Sequence, residues 1–137
     1  MNIQERRKEP RYDVAYPFEH KDRAFGDVLF VENINRGGFS FVSPRQVPAR
    51  GDIKIGIFLK SRMFVVSAKV VYSIPRQDGN FAMGAAFTAV PEGFLEILDR
   101  EIEEIGQLHL EKRRYYNKNI SFKEASMEYL GGVFSAE

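Results

Sequence analysis

Apolar and polar residues alternate along most of the first ninety positions, with the period of two that is typical of half-buried β-strands. The clearest run is IKIGIFLK at 53–60, where isoleucine or leucine occupies every second position. Such alternation, or an apolar segment between turn signals, predicts six strands, at 12–18, 28–34, 39–42, 53–60, 63–74 and 81–87. Asp78-Gly79, before the last of them, is a strong hairpin signal. Six short strands with regular turns predict a mainly β fold, either a barrel or a sandwich.

The pattern becomes helical at Pro91. Apolar residues then recur every three or four positions, which predicts a helix from about Pro91 to Arg114 with its apolar stripe on the barrel. This stripe consists of Leu95, Leu98, Ile102, Ile105 and Leu108. The glutamates of the helix are interpreted as a solvated face, because carboxylates scattered over a helix are usually exposed.

A second, short helix is predicted after Ser121, because Ser121 and Glu124 have the spacing of a capping box. Its buried face is expected to contain Phe122, Ala125, Tyr129 and Leu130, and Gly131-Gly132 is expected to end it. The chain is therefore divided into a flexible arginine-bearing N-terminal segment (1–10), a barrel with its helix (11–116) and a tail with a short helix (117–137).

Composition narrows the classes of function. The 137 residues fit one domain, and a net charge of +1 provides no overall field for nucleic acid or a membrane. The absence of cysteine excludes disulfides, thiolate metal sites and a cysteine nucleophile. Neither His20 nor His109 has a partner at the spacing of a metal site or a catalytic triad. No apolar run approaches the ~18 residues of a membrane span. We expect a soluble cytoplasmic binding module, not an enzyme, with no cofactor, no DNA or RNA partner and no membrane insertion.

Two local features are candidates for ligand binding. The first is ERRKEPR at 5–11, which places Arg6, Arg7 and Arg11 just before the first strand. A guanidinium presents a planar fork of donors that suits phosphate oxygens and the O6/N7 edge of guanine. Pro10 favours an extended chain before it, so the arginines are expected to line the entry to the strand. Alone, the run is more often a solvated tail than a binding site.

The second feature is the sequence NINRGGF at 33–39, between two strands. Short amides next to a glycine pair favour a tight turn, in which side-chain and backbone donors face outward. Alone, this pattern is more often an ordinary Asx turn than a binding site.

Together the two features resemble the PilZ domain, a bacterial receptor module for cyclic di-GMP. The family pattern has R-x-x-x-R before the first strand and [D/N]-x-S-x-x-G at the turn after the second. Here Arg7 and Arg11 match the arginines, Asn33 the Asp/Asn, and Gly38 the glycine. FAMGAAF at 81–87 is similar to the family's closing strand, with Gly84 and Phe87 at its usual Gly and Phe. The resemblance covers about residues 5–90, with a terminal helix that the family also has.

The resemblance implies a six-stranded antiparallel β-barrel with a C-terminal helix and a cyclic di-GMP site on its outer surface. Arg7 and Arg11 would clamp phosphate and the guanine Hoogsteen edge. Asn33 and Asn35 would hydrogen-bond a guanine edge, and Gly38 would let the ligand approach the backbone. Arg6 would stack on a base or favour a self-intercalated ligand dimer. The output would be a changed contact with an effector protein, whose identity the sequence leaves open together with the oligomeric state.

One position departs from the family pattern, because Asn35 stands where the family has Ser. The alternative function is therefore an adaptor of the same fold that no longer binds nucleotide and acts only through protein contacts. A more distant alternative is a single-strand nucleic-acid binder, since aromatic strands of barrels can stack bases. The near-neutral charge and the absence of a basic groove argue against that alternative.

Overall fold

Six antiparallel strands close into a barrel in the computed structural model, which describes residues 10–22, 28–117 and 119–131. The strands are β1 (Pro17–His20), β2 (Leu29–Asn35), β3 (Gly38–Ser43), β4 (Asp52–Phe58), β5 (Met63–Pro75) and β6 (Phe81–Ala89). Two helices follow, α1 (Phe94–Tyr115) and α2 (Phe122–Tyr129). The order around the barrel is β1-β2-β3-β6-β5-β4. The barrel implied by the family resemblance is confirmed.

The barrel is filled by the residues that the alternating pattern places inside. In β4, Ile53, Ile55 and Ile57 are all buried, and Leu59 is buried just beyond the strand. Aromatic rings from β1 and β3, which are separated by β2, meet in the centre: the ring centroid of Phe18 lies 5.0 Å from that of Phe41. Edge-to-face pairs of this kind add to the stability that buried apolar area supplies.

The predicted first strand at 12–18 is wrong in its bounds and in its alternation. Regular pairing begins only at Pro17, and Tyr12 forms an isolated bridge with Ile34. All residues from 14 to 18 are buried, so no polar face exists there. The cause is α2, which covers this stretch from outside: the backbone N–H of Ala15 donates to Ser126 Oγ at 3.2 Å. A segment buried on both sides shows no period of two.

Helix α1 begins three residues later than Pro91. Gly93, with φ of 88°, ends the preceding turn, and Phe94 is the first helical residue. Glycine suits this left-handed position because other residues are strained there. The buried face contains three of the predicted residues and two others, and it consists of Phe94, Leu98, Glu101, Ile102 and Ile105. The predicted Leu95 and Leu108 are only half-buried, since the contact with the barrel follows a stripe turned towards Phe94.

Glu101 contradicts the interpretation of the helix glutamates as a solvated face. Its side chain is 3% exposed and accepts four hydrogen bonds. The donors are the Tyr16 hydroxyl (3.0 Å), the backbone N–H of Lys60 (2.9 Å), and the N–H and Oγ of Ser61 (3.0 Å each). The carboxylate therefore joins α1 to the β4–β5 turn and to the segment that precedes β1, residues 10–16, which we call the entry segment. A pattern of apolar residues cannot reveal it, because such a pattern assigns every carboxylate to the surface.

The second helix is confirmed with its cap. Ser121 Oγ accepts from the N–H of Glu124 at 3.0 Å, and Glu124 Oε1 accepts from the N–H of Ser121 at 2.9 Å. Ala125 and Leu130 are buried, whereas Phe122 and Tyr129 are half-buried. Gly132 lies outside the described residues.

Neither helix in the described part of the chain is long and apolar enough to cross a membrane.

Candidate functional site

A shallow groove of about 240 Å³ opens on the outer surface of the barrel, beside the turn between β2 and β3. Its lining includes Arg11, Asn33, Asn35 and Gly38, which are four of the residues that the sequence assigns to a ligand site. The volume is below the ~300 Å³ at which pockets begin to enclose a small-molecule ligand, so a larger ligand would lie across the groove. Arg6 and Arg7 lie outside the described residues.

Tyr12 places Arg11 at this groove. The N–H of Tyr12 donates to Ile34 O and the N–H of Ile34 donates to Tyr12 O, both at 3.0 Å. In an antiparallel bridge of this kind, the residue before Tyr12 lies opposite the residue after Ile34. Arg11 is therefore opposite Asn35, and its exposed side chain lines the groove beside the turn.

A β-bulge sets which side chains of β2 face the groove. The pairing with β3 shifts between Val31 and Asn33, so β2 contains one residue more than β3 over this stretch. Val31 and Ile34 are consequently both buried, while Asn33 and Asn35 are on the outer face. Without the bulge, Asn33 and Val31 would face the same side of the sheet.

The side chain of Asn35 organises the turn. Its Oδ1 accepts hydrogen bonds from the N–H of Gly37 at 2.7 Å and of Gly38 at 3.0 Å. This arrangement is an Asx turn, and a serine hydroxyl can accept in the same way, though more weakly. The departure from the family's Ser thus preserves the turn. Because an amide is planar, Asn35 holds its NH₂ group on the side away from the two N–H donors.

Gly38 is required by the barrel itself. A Cβ at this position would lie 2.1 Å from Ala85 O, closer than any real contact. Only glycine therefore allows β3 and β6 to pair here, opposite Ala86. Packing alone explains this glycine, and the approach of a ligand to its backbone stays a prediction.

Two apolar residues of β5 complete the groove and were missed by the sequence analysis. A second bulge, between Val70 and Tyr72, leaves Val71 58% and Tyr72 37% exposed on the outer face. The Tyr72 ring lies directly on Gly84, where a Cβ would be 2.2 Å from Cε2 of the ring. The glycine in FAMGAAF therefore provides the space for an aromatic platform beside the polar turn. Bulges leave no clear signal in the alternation of β5, so its position could not be predicted.

Phe87, the other residue matched in β6, has a packing role. Its ring lies 5.6 Å from Phe39 inside the barrel and 5.5 Å from Phe94 of α1, centroid to centroid. It therefore attaches the helix to the barrel wall behind the groove.

Arg11 is the one charged residue among the described residues that line the groove. Arg36, in the turn, forms an ion pair with Asp99 of α1 instead. The groove thus combines a cationic fork, two amides and an aromatic face. Phosphate, a hydrogen-bonding base edge and a base plane are the groups that these three features recognise.

The histidines lie elsewhere. His109 Nε2 is 2.8 Å from Ile120 O, and the His20 ring packs against Phe18 inside the barrel. Within residues 10–22, 28–117 and 119–131, no group of three His, Asp or Glu side chains could hold a metal ion.

Comparisons with known proteins agree with this geometry. The model of the PilZ domain family matches residues 5–104. A search among curated proteins gave no significant match. Among solved structures, the chain is similar to the Bacillus subtilis inhibitor of motility (MotI/DgrA), with a TM-score of 0.58 and 15% sequence identity over 72% of this chain and 52% of that chain. The present chain therefore spans about half the length of that protein, and the likeness concerns the fold.

Proposed function

Because the chain belongs to the PilZ domain family, we propose that it is a receptor for cyclic di-GMP that passes binding on to a partner protein through altered contacts. The observation that supports this proposal is the outer groove, which brings together Arg11, Asn33, Asn35 and Gly38. Arg11 comes from the entry segment and the other three residues come from the β2–β3 hairpin, and the Tyr12–Ile34 bridge joins the two.

Each part of the ligand has a chemical counterpart. Arg11 donates to phosphate oxygens or to the O6/N7 edge of guanine, and Arg7, four positions earlier, supplies a second guanidinium. The amide of Asn33 can both donate to and accept from a guanine edge. The Oδ1 of Asn35 already accepts from the N–H groups of Gly37 and Gly38, so Asn35 can offer its NH₂ group as a donor. Tyr72 and Val71 give one base plane an apolar surface to lie on. Arg6 adds a third cation for a second base or a second ligand molecule.

The output follows from the position of the arginines. They precede β1, and the part of the segment that contains Arg6 and Arg7 is fixed to the ligand when these side chains bind phosphate. A partner protein then meets a different surface at this side of the barrel, which is a common form of switching. No chemical step is required of the chain.

Calorimetry with cyclic di-GMP tests the proposal. Wild type should bind, and Arg7→Ala or Arg11→Ala should each weaken binding at least tenfold, because a charge-assisted hydrogen bond contributes about 1.5–3 kcal/mol. Arg114→Ala, at the exposed end of α1, is the matched control and should bind like wild type. The receptor proposal is wrong if wild type gives neither heat nor a thermal shift at high micromolar nucleotide.

A second candidate function is the adaptor without nucleotide binding, and Asn35 is the observation that favours it. Asn35→Ser separates the two. In a receptor, the exchange should change affinity by no more than about tenfold, since one neutral hydrogen bond contributes about 0.5–1.5 kcal/mol. Absence of binding in wild type together with binding by Asn35→Ser would establish the adaptor.

A further inference from the structure

A second groove, of about 480 Å³, runs along α1 on the side of α2. One end is acidic, with Asp99 and Glu103, and the other is apolar, with Leu110 and Phe122. Tyr12 lines this groove, while its neighbour Arg11 lines the nucleotide groove. The entry segment therefore passes from one groove to the other.

Gly106 keeps the middle of this groove open. Glycine inside a helix is about 0.5–1 kcal/mol less favourable than alanine. A Cβ on Gly106 would meet only Phe122, at 3.9 Å, which is an ordinary contact. The packing of the described residues thus gives no reason for a glycine here, and a chain lying against α1 at this point would give one.

The acidic end of the groove is only partly neutralised. Asp99 pairs with Arg36, and Glu103 is exposed and makes no hydrogen bond or ion pair with any residue that the structure describes. Leu110, at the other end, is 46% exposed. A segment that fits should carry cations at one end and an apolar side chain at the other.

We propose that this groove binds the N-terminal segment of the same chain, residues 1–9. Read backwards from Pro10, that segment presents Lys8, Arg7 and Arg6, and then Ile3. Along α1, the groove presents carboxylates first and Leu110 last, so cations and the apolar residue meet their counterparts in the same order.

The lengths agree with this order. Asp99 and Leu110 are eleven helical residues apart, which is ~16 Å along the axis. The seven residue steps from Ile3 to Pro10 span at most ~25 Å when extended. Arg6 and Arg7 can therefore reach Glu103 while Ile3 contacts Leu110 and Phe122.

The nucleotide and the acidic groove then compete for the same arginines. This consequence rests on the proposed function, whereas the docking itself does not. Neutralising the acidic end with Glu103→Gln should tighten cyclic di-GMP binding about two- to fivefold, the equivalent of one exposed ion pair.

Paramagnetic broadening in the full chain tests the docking without nucleotide. The chain has no cysteine, so Asn2→Cys accepts a single nitroxide label. The amide signals of Gly106 and Leu110 should broaden, and those of Gly56 on β4 should not. Glu103→Lys should remove the broadening by reversing the charge, while Glu111→Lys, on an exposed position of the same helix, should leave it unchanged.

Absence of broadening at Gly106 and Leu110, or broadening that Glu103→Lys leaves unchanged, would overturn the docking. Broadening transferred from a labelled chain to a separate ¹⁵N-labelled chain would overturn it too, by assigning the groove to a second copy. A chain that shows intramolecular broadening but no binding of cyclic di-GMP would retain the docking site and overturn the proposed function instead.

Discussion

Removing the carboxylate of Glu101 should destabilise the fold more than the loss of any exposed glutamate. The carboxylate is buried and accepts from the Tyr16 hydroxyl, from two backbone N–H groups and from the Ser61 hydroxyl. Glu101→Ala leaves these donors without their acceptor. Tyr16 is fully buried, so leaving its hydroxyl without an acceptor should lower the free energy of unfolding by ~1–3 kcal/mol. Each N–H of the more exposed turn should lower it by a further ~0.5–1.5 kcal/mol.

Together these terms lower the free energy of unfolding by about 2–6 kcal/mol. The net loss is smaller, because alanine does not have the cost of moving a carboxylate out of water on folding. Glu101→Gln should also be destabilising, because its NH₂ group would face donors. Tyr16→Phe removes only one partner and should cost about 1 kcal/mol. In the double variant Tyr16→Phe/Glu101→Ala, the losses should be smaller than their sum, since both changes remove the same bond.

Urea denaturation of these variants gives the change in the free energy of unfolding, from the midpoint of the transition and its m-value. Glu111→Ala, further along α1 and exposed, is the control and should change stability by less than about 0.5 kcal/mol. An unfolding free energy of Glu101→Ala equal to or above that of wild type would contradict this prediction. It would mean that desolvation of the carboxylate outweighs its four hydrogen bonds.

Three further predictions concern the barrel. Leu98→Ala should cost ~2–5 kcal/mol, as the truncation of a buried leucine does; a thermal melt with light scattering checks this, and an unchanged melting temperature with a lost dimer contact would show an exposed stripe instead. Gly38→Ala should disrupt folding in circular dichroism, because its Cβ would collide with Ala85 O, whereas Gly106→Ala should fold and gain up to ~1 kcal/mol. Burial, together with the neighbouring Glu101 carboxylate, raises the pKa of Tyr16 well above its usual value. The folded state therefore keeps a proton that the unfolded state loses above about pH 10. The free energy of unfolding should fall as pH rises through that value, and it should fall less steeply in Tyr16→Phe.

The sequence predicts those strands best that have one buried and one exposed face. In β4 every isoleucine is buried as the alternation requires, and β3 and β6 begin within one residue of the predicted positions. The failures have physical causes. The stretch at 14–18 has no exposed face because α2 covers it, and such covering depends on residues more than a hundred positions away.

The candidate site divides in the same way. Arg11, Asn33, Asn35 and Gly38 belong to short motifs around one turn, so local sequence identifies them, and the Tyr12–Ile34 bridge brings the two motifs together. Val71 and Tyr72 were missed because a bulge in β5 turns them outward. Polar groups such as Glu101 were missed for a different reason, since a hydrogen-bonded carboxylate in the core has the same sequence pattern as one in water.

The most direct test of the receptor proposal is an amide-shift titration of the wild-type chain with cyclic di-GMP. A receptor should show saturable shifts at Asn33, Gly38 and Gly84, which surround the groove, and none at Gly56 on β4, which lies opposite β3 in the barrel. Shifts that are absent at saturating nucleotide, or that occur at β4 and not in the groove, would contradict the proposal.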